Sequence, residues 1–147
     1  MAETPDRLEV PDALWQAMLA HLDACLPEEG CGLLGGSLAG GAAVALLPVE
    51  NALHSPVRFS MAPTALFEAL NELDRRGLDL VAFYHSHPNG PGAPSATDRA
   101  EFAYPGVLSL IASPGPEGWQ VRAFRIDGVL DAQAEVSEVP LARTPLE

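Results

Sequence analysis

Residues 78–98 read LDLVAFYHSHPNGPGAPSATD. From Leu78 to Tyr84 the chain is apolar apart from Asp79 and rich in strand formers, which predicts a central strand emerging into a site at His85 and His87. On a strand, residues i and i+2 point to the same face, so the two imidazoles project side by side while Ser86 turns away. Proline and glycine dominate the stretch through Pro94, which predicts a loop. Ser95-Ala-Thr-Asp98 then has the form of a helix start, with Ser95 able to cap and Asp98 in the first turn.

A histidine pair near a strand end is by itself more often incidental than metal-binding. Here the pair is followed by an ordered return loop and a carboxylate eleven positions beyond His87, on the first turn of a helix. Two histidines, one carboxylate and one open position form a common catalytic zinc arrangement, in which water fills the fourth place. The candidate ligands for one Zn2+ per chain are therefore His85, His87 and Asp98.

Upstream, Pro11 to Leu26 carries Leu14, Trp15, Met18, Leu22 and Cys25 at helical spacing, with Pro27 ending the pattern. CGLLGG and AAVALLPV, divided by a glycine-rich turn, predict a hairpin of buried strands. A second helix is expected from about Pro63 to Arg76, with Leu66, Phe67, Leu70 and Leu73 on one side and Gly77 as its stop. Downstream, VLSLIAS and WQVRAFRI read as strands, a weaker strand lies around Ala134 to Val139, and the tail after Pro140 is expected to fray. The expectation is one α/β domain over 1–147, with its core at about 8–140.

Composition narrows the function classes. The chain has 147 residues, 48% hydrophobic and 19% charged, enough to fill one core. No segment approaches the roughly 18–20 apolar residues of a membrane span, and the N-terminus lacks a signal-like pattern, so the expectation is a cytoplasmic protein with no membrane association. A net charge of -12, with eight arginines and no lysine, opposes nucleic-acid binding. The one adjacent basic pair, Arg75-Arg76, sits where cations offset a helix dipole. Cys25 and Cys31 are read as free thiols, Cys31 as small and buried rather than nucleophilic. His21 and His54 are not expected to be ligands.

HSHPNGPGAPSATD, residues 85–98, resembles the signature of the JAMM (JAB/MPN) zinc metallopeptidase family: His-x-His, seven residues, Ser, two residues, Asp. Every fixed position is matched. That family also places a Glu before a Cys-Gly turn in the form Pro-x-Glu-x-Cys-Gly, and PEEGCG, residues 27–32, offers Glu28 and Glu29. The form selects Glu29 and leaves Glu28 as a solvated neighbour. The resemblance covers roughly residues 27–126. It implies zinc on His85, His87 and Asp98, with Glu29 as general base. It also implies Ser95 as a donor to the oxyanion; the alternative role of Ser95, an N-cap, uses the same hydroxyl, and the two are compatible.

The fold implied by the resemblance is a deaminase-like α/β sandwich, a mixed sheet flanked by helices. Zinc deaminases themselves need His-x-Glu and Pro-Cys-x-x-Cys, which are absent. A His-x-His amidohydrolase barrel needs about 250 residues. The compact prokaryotic branch of the family resembles this chain best. It implies hydrolysis after the C-terminal Gly-Gly of a ubiquitin-like or sulfur-carrier protein, which would be both substrate and partner. The alternatives are a non-catalytic MPN-type scaffold or a RadC-like protein. The oligomeric state is left open.

Overall fold

A computed structural model describes residues 4–145. The elements run β1 (Leu8–Pro11), α1 (Asp12–Cys25), β2 (Cys31–Ser37), β3 (Ala42–Val49), α2 (Pro63–Arg75), β4 (Asp79–Ser86), α3 (Ala96–Glu101), β5 (Leu108–Gly115), β6 (Gly118–Asp127), β7 (Glu135–Val139) and β8 (Leu141–Thr144). The strands form one mixed sheet in the order β7-β6-β5-β4-β2-β3-β1-β8. β4 is central, antiparallel to β2 and parallel to β5.

Side-chain alternation sorts the core into two layers. On β2, Leu34 packs with Met18 and Leu22 of α1, whereas neighbouring Leu33 packs with Ala69 and Leu73 of α2. On β4 the same alternation sends Tyr84 toward α1 and Phe83 toward α2. His85, two positions beyond Phe83, emerges on the α2 face at the carboxyl end of β4. Ligand sites in open α/β sheets favour that end of the strands.

Helix limits follow local chemistry. α2 opens with Pro63 in its first turn, where a missing N–H costs nothing, and stops at Gly77, whose φ is 68°. Its buried stripe runs through Leu66, Ala69, Leu70 and Leu73, the i, i+3, i+4, i+7 positions. Phe67 is 63% exposed, so its expected place on the buried side is corrected: it stands about 100° around the helix from Leu66.

The expected fraying after Pro140 is also corrected. Residues 141–144 form β8, which pairs in parallel with β1 from Leu8↔Leu141 to Pro11↔Thr144. Leu8 and Val10 of β1 are fully buried, and the open backbone edge of β1, with Leu141 packed against the main core, orders this short strand.

Gly32 faces the Tyr84 ring so closely that a Cβ there would lie 2.4 Å from it. Because the ring is fully buried and cannot yield cheaply, Gly32→Ala is expected to cost about 1–3 kcal/mol, read as a lowered urea midpoint at unchanged slope. An unchanged midpoint would show that Tyr84 has room to move.

Candidate active site

Three lone-pair atoms converge at the end of β4. His85 Nε2 lies 3.1 Å from His87 Nε2 and 3.3 Å from Asp98 Oδ2, and His87 Nε2 lies 3.1 Å from the same oxygen. His85 is 2% exposed and His87 6%. Although β4 ends at Ser86, His87 keeps the strand's direction because its N–H donates to Ala112 O on β5 at 2.8 Å.

Each donor is oriented by a second contact. Pro91 O lies 2.7 Å from His87 Nδ1; taking the ring N–H there leaves the Nε2 lone pair for the cluster. The His85 ring stacks on Phe59 at 4.4 Å between centroids. Ser95 and Asp98 form a capping box: Asp98 N–H donates to Ser95 Oγ at 3.0 Å, and Ser95 N–H donates to Asp98 Oδ2 at 2.9 Å. One local motif therefore starts α3 and aims the carboxylate at both imidazoles. The capping role expected of Ser95 is present.

The donor set fits zinc. Zn–N and Zn–O distances of about 2.0–2.2 Å in a tetrahedron imply ligand–ligand edges of about 3.3–3.5 Å. The observed edges of 3.1–3.3 Å are slightly contracted but of that size, and two imidazoles with one carboxylate suit the ion.

Glu29, 4% exposed, stands beside this cluster, with a carboxylate oxygen within 4.8 Å of a nitrogen of each imidazole. Its backbone is fully engaged: its N–H donates to Ser55 O at 2.8 Å, and its C=O accepts from Asn51 Nδ2 at 3.0 Å. The next residue, Gly30, donates to Ser86 Oγ at 2.9 Å and accepts from Ser86 N–H at 3.0 Å. Ser86, which turns away from the three converging donors, thus ties the Glu29 segment to the His-x-His strand.

Burial pushes the Glu29 carboxyl up to about 7, with Asp98 adding to the effect and His87 opposing it. Burial would likewise raise Asp98, but hydrogen bonds to both imidazoles and from Ser95 N–H outweigh it and hold that carboxyl well below the usual range. His85 is lowered by burial. For His87, burial is overcome by Asp98 and the Pro91 carbonyl, and the ring is raised. Four neighbouring titratable groups with their affinities pushed apart make the electrostatic pattern of acid–base sites.

Two grooves meet at the cluster. The larger, about 420 Å³, is mainly apolar, with Phe59, Met61, Phe83 and Tyr104 in its walls and His85 and Asp98 at one end. Arg58 and Glu101 pair beside it at 3.0 Å. The smaller, about 100 Å³, is bordered by Glu29, His87, Asn89 and Ser95. The other histidines stand apart from the cluster: His21 contacts Tyr84 OH at 2.7 Å, and His54 lies on the surface between Glu28 and Glu50. Both cysteines are free, with Cys31 fully buried. Sequence reasoning missed the roles of Asn51, Ser86 and Phe59, because no fixed motif position marks them and their partners lie far along the chain.

An α/β domain with a buried two-imidazole, one-carboxylate cluster and a high-affinity acid beside it has the make-up of a metallohydrolase. Residues 11–127 match the prokaryotic homologs of the JAB domain, and the chain belongs to that family. A desampylase of Haloferax volcanii is 39% identical over 89 residues, spanning 60% of this chain and 64% of that relative's own length. A probable TtuB-protein conjugate cleaving protease of Thermus thermophilus is 37% identical over 121 residues, 78% of this chain and 80% of the relative. The CysO-cysteine peptidase of Mycobacterium tuberculosis is 28% identical over 119 residues, covering 80% and 82%. Among solved structures, a Desulfitobacterium hafniense protein superposes with a TM-score of 0.80 at 30% identity, covering 95% of this chain and 94% of that one. A JAB1/MPN domain protein of Archaeoglobus fulgidus, at TM-score 0.52 and 18% identity over 92% of this chain and 99% of its own, shares the fold.

Proposed function

We propose that this protein is a zinc-dependent peptidase or isopeptidase that hydrolyses the bond after the C-terminal Gly-Gly of a ubiquitin-like or sulfur-carrier protein. The observation that carries the reading is the convergence of His85 Nε2, His87 Nε2 and Asp98 Oδ2 within 3.3 Å, with buried Glu29 alongside. The names of two relatives, a probable TtuB-protein conjugate cleaving protease and a CysO-cysteine peptidase, support the substrate class.

His85, His87 and Asp98 hold the ion. When bound, zinc supplies Lewis acidity that brings the pKa of a coordinated water to near 7. Glu29 takes the water's proton and later hands it to the leaving amine, a task suited to a buried carboxyl standing beside the three donors. The leaving amine must then lie on the Glu29 side, in the smaller groove, and the Gly-Gly tail enters along the larger one. Glycines allow the tail's backbone to approach the cluster with no side chain in the way. Ser95 Oγ accepts from Asp98 N–H, which leaves the hydroxyl hydrogen free to donate to the oxyanion. No helix among the described residues is long and apolar enough to cross a membrane.

Stripping the protein with a chelator should abolish cleavage of a Gly-Gly-extended carrier, and one equivalent of zinc should restore it. Turnover that survives complete stripping would rule out the zinc assignment. Ser95→Ala should lower kcat by about 100-fold with zinc retained, while the lost cap costs only about 1 kcal/mol of stability. Unchanged kcat in that variant would reduce Ser95 to a cap.

A further inference from the structure

Beneath the acid Glu29 lies a side chain that touches neither the donor cluster nor either groove. Asn51, 6% exposed, follows β3 and opens the loop leading to α2. Its Nδ2 donates to Glu29 O at 3.0 Å and to Arg58 O at 3.1 Å, and its Oδ1 accepts from Leu53 N–H at 3.0 Å and Ser60 N–H at 3.1 Å. All four hydrogen-bonding valences of the amide are used. Two carbonyls face one end and two N–H groups the other, so the amide's orientation is set by its partners.

These four bonds make the loop a single body. Asn51 also bridges Met61 as an isolated antiparallel pair, and Ala52 N–H donates to Ser60 O at 2.8 Å, which closes the loop at its base. Two functional groups hang on it. Ser55 O accepts the Glu29 N–H at 2.8 Å, so loop and amide together hold both backbone polar groups of Glu29. Phe59, next to the Ser60 whose N–H is held, stacks on the ligand His85 at 4.4 Å.

We infer that Asn51 is a positioning residue for the general base: its amide locks the Glu29 backbone to the 51–60 loop and so fixes the carboxyl against the metal donors. This rests on the reading of Glu29 as the base. The chemistry required is specific. Alanine removes all four bonds and leaves the Glu29 and Arg58 carbonyls without a partner. Aspartate keeps the size and both acceptor bonds but turns the two donor contacts into oxygen facing oxygen. A base displaced by about 1 Å costs about 100-fold in rate without loss of substrate binding.

The test uses zinc-loaded full-length wild type, Asn51→Ala and Asn51→Asp on a carrier bearing a C-terminal extension after Gly-Gly. Both variants should show kcat lowered by about 10–100-fold, KM within about 3-fold of wild type and one zinc per chain. A purely structural role would lower the melting temperature and leave the kcat of the folded fraction unchanged. Wild-type kcat in either folded variant overturns the inference, as does a loss of zinc that accounts for the loss of rate. Should Asn51→Ala fail to fold, Asn51→Asp carries the test, and failure of both would assign Asn51 to the fold and not to the base. An inactive wild type, or a fully active Glu29→Gln, would instead sink the functional reading itself.

Discussion

Glu29→Gln is expected to keep one zinc per chain and to lose about 10²–10⁴ of its turnover, the usual contribution of a positioned general base. The amide has the carboxylate's shape but cannot take the proton, and the three proposed ligands are untouched. A second consequence concerns the metal-free protein. Glu29 moves from 4.5 to about 7 on folding, chiefly through burial. An acid whose affinity is raised by folding contributes its full stability below its unfolded value and loses it as pH climbs through its folded value. From pH 4.5 to about 7 the metal-free wild type should therefore lose up to about 3 kcal/mol at this one site. Gln has no charge to bury, so chelated Glu29→Gln should be the more stable protein at pH 8 and the difference should vanish near pH 4. Urea denaturation of both chelated proteins across that range checks this. Loss of zinc in Glu29→Gln equal to its loss of turnover would make Glu29 a ligand and overturn the division of roles.

His85→Ala should have the largest effect of all, removing metal and activity together. The ring is 2% exposed, stands within 3.3 Å of both other donors and stacks on Phe59. Without it, two donors remain and the tetrahedral set fails. Zinc affinity should fall by more than the roughly 10–100-fold that loss of an outer hydrogen-bond partner costs. The stabilisation that zinc confers on the wild type, about 4 kcal/mol at a thousandfold excess over Kd, should vanish with it. Metal analysis and melting curves with and without zinc measure both effects. Full zinc occupancy in His85→Ala would place the metal elsewhere in the molecule.

Much of the site was legible because its grammar is local. His85 and His87 share a face through the two-residue period of a strand, and Ser95 with Asp98 form a capping box spanning four residues. Glu29 is different, since nothing in its neighbours marks it as an acid facing imidazoles far along the chain. Only the family form Pro-x-Glu-x-Cys-Gly singled it out. Asn51 and Ser86 stayed silent because their roles are written in bonds between distant segments, as in the Gly30–Ser86 pair, 56 positions apart. β8 escaped for the same reason: LART has little strand signal of its own and is ordered by β1 at the opposite end of the chain. Phe67 was misassigned because an apolar residue beside a buried stripe reads as part of it until the helix's rotation is known.

The central claim, hydrolysis at a Gly-Gly junction by this cluster, is tested most directly by intact mass spectrometry. A ubiquitin-like sulfur carrier with a C-terminal extension would be incubated with the zinc-loaded protein, with chelated protein and with Glu29→Gln. The account predicts one product mass, the carrier ending at Gly-Gly, formed by the zinc-loaded wild type and by neither control. Cleavage at another bond, equal cleavage after chelation, or an intact carrier in the presence of fully zinc-loaded wild type would contradict it.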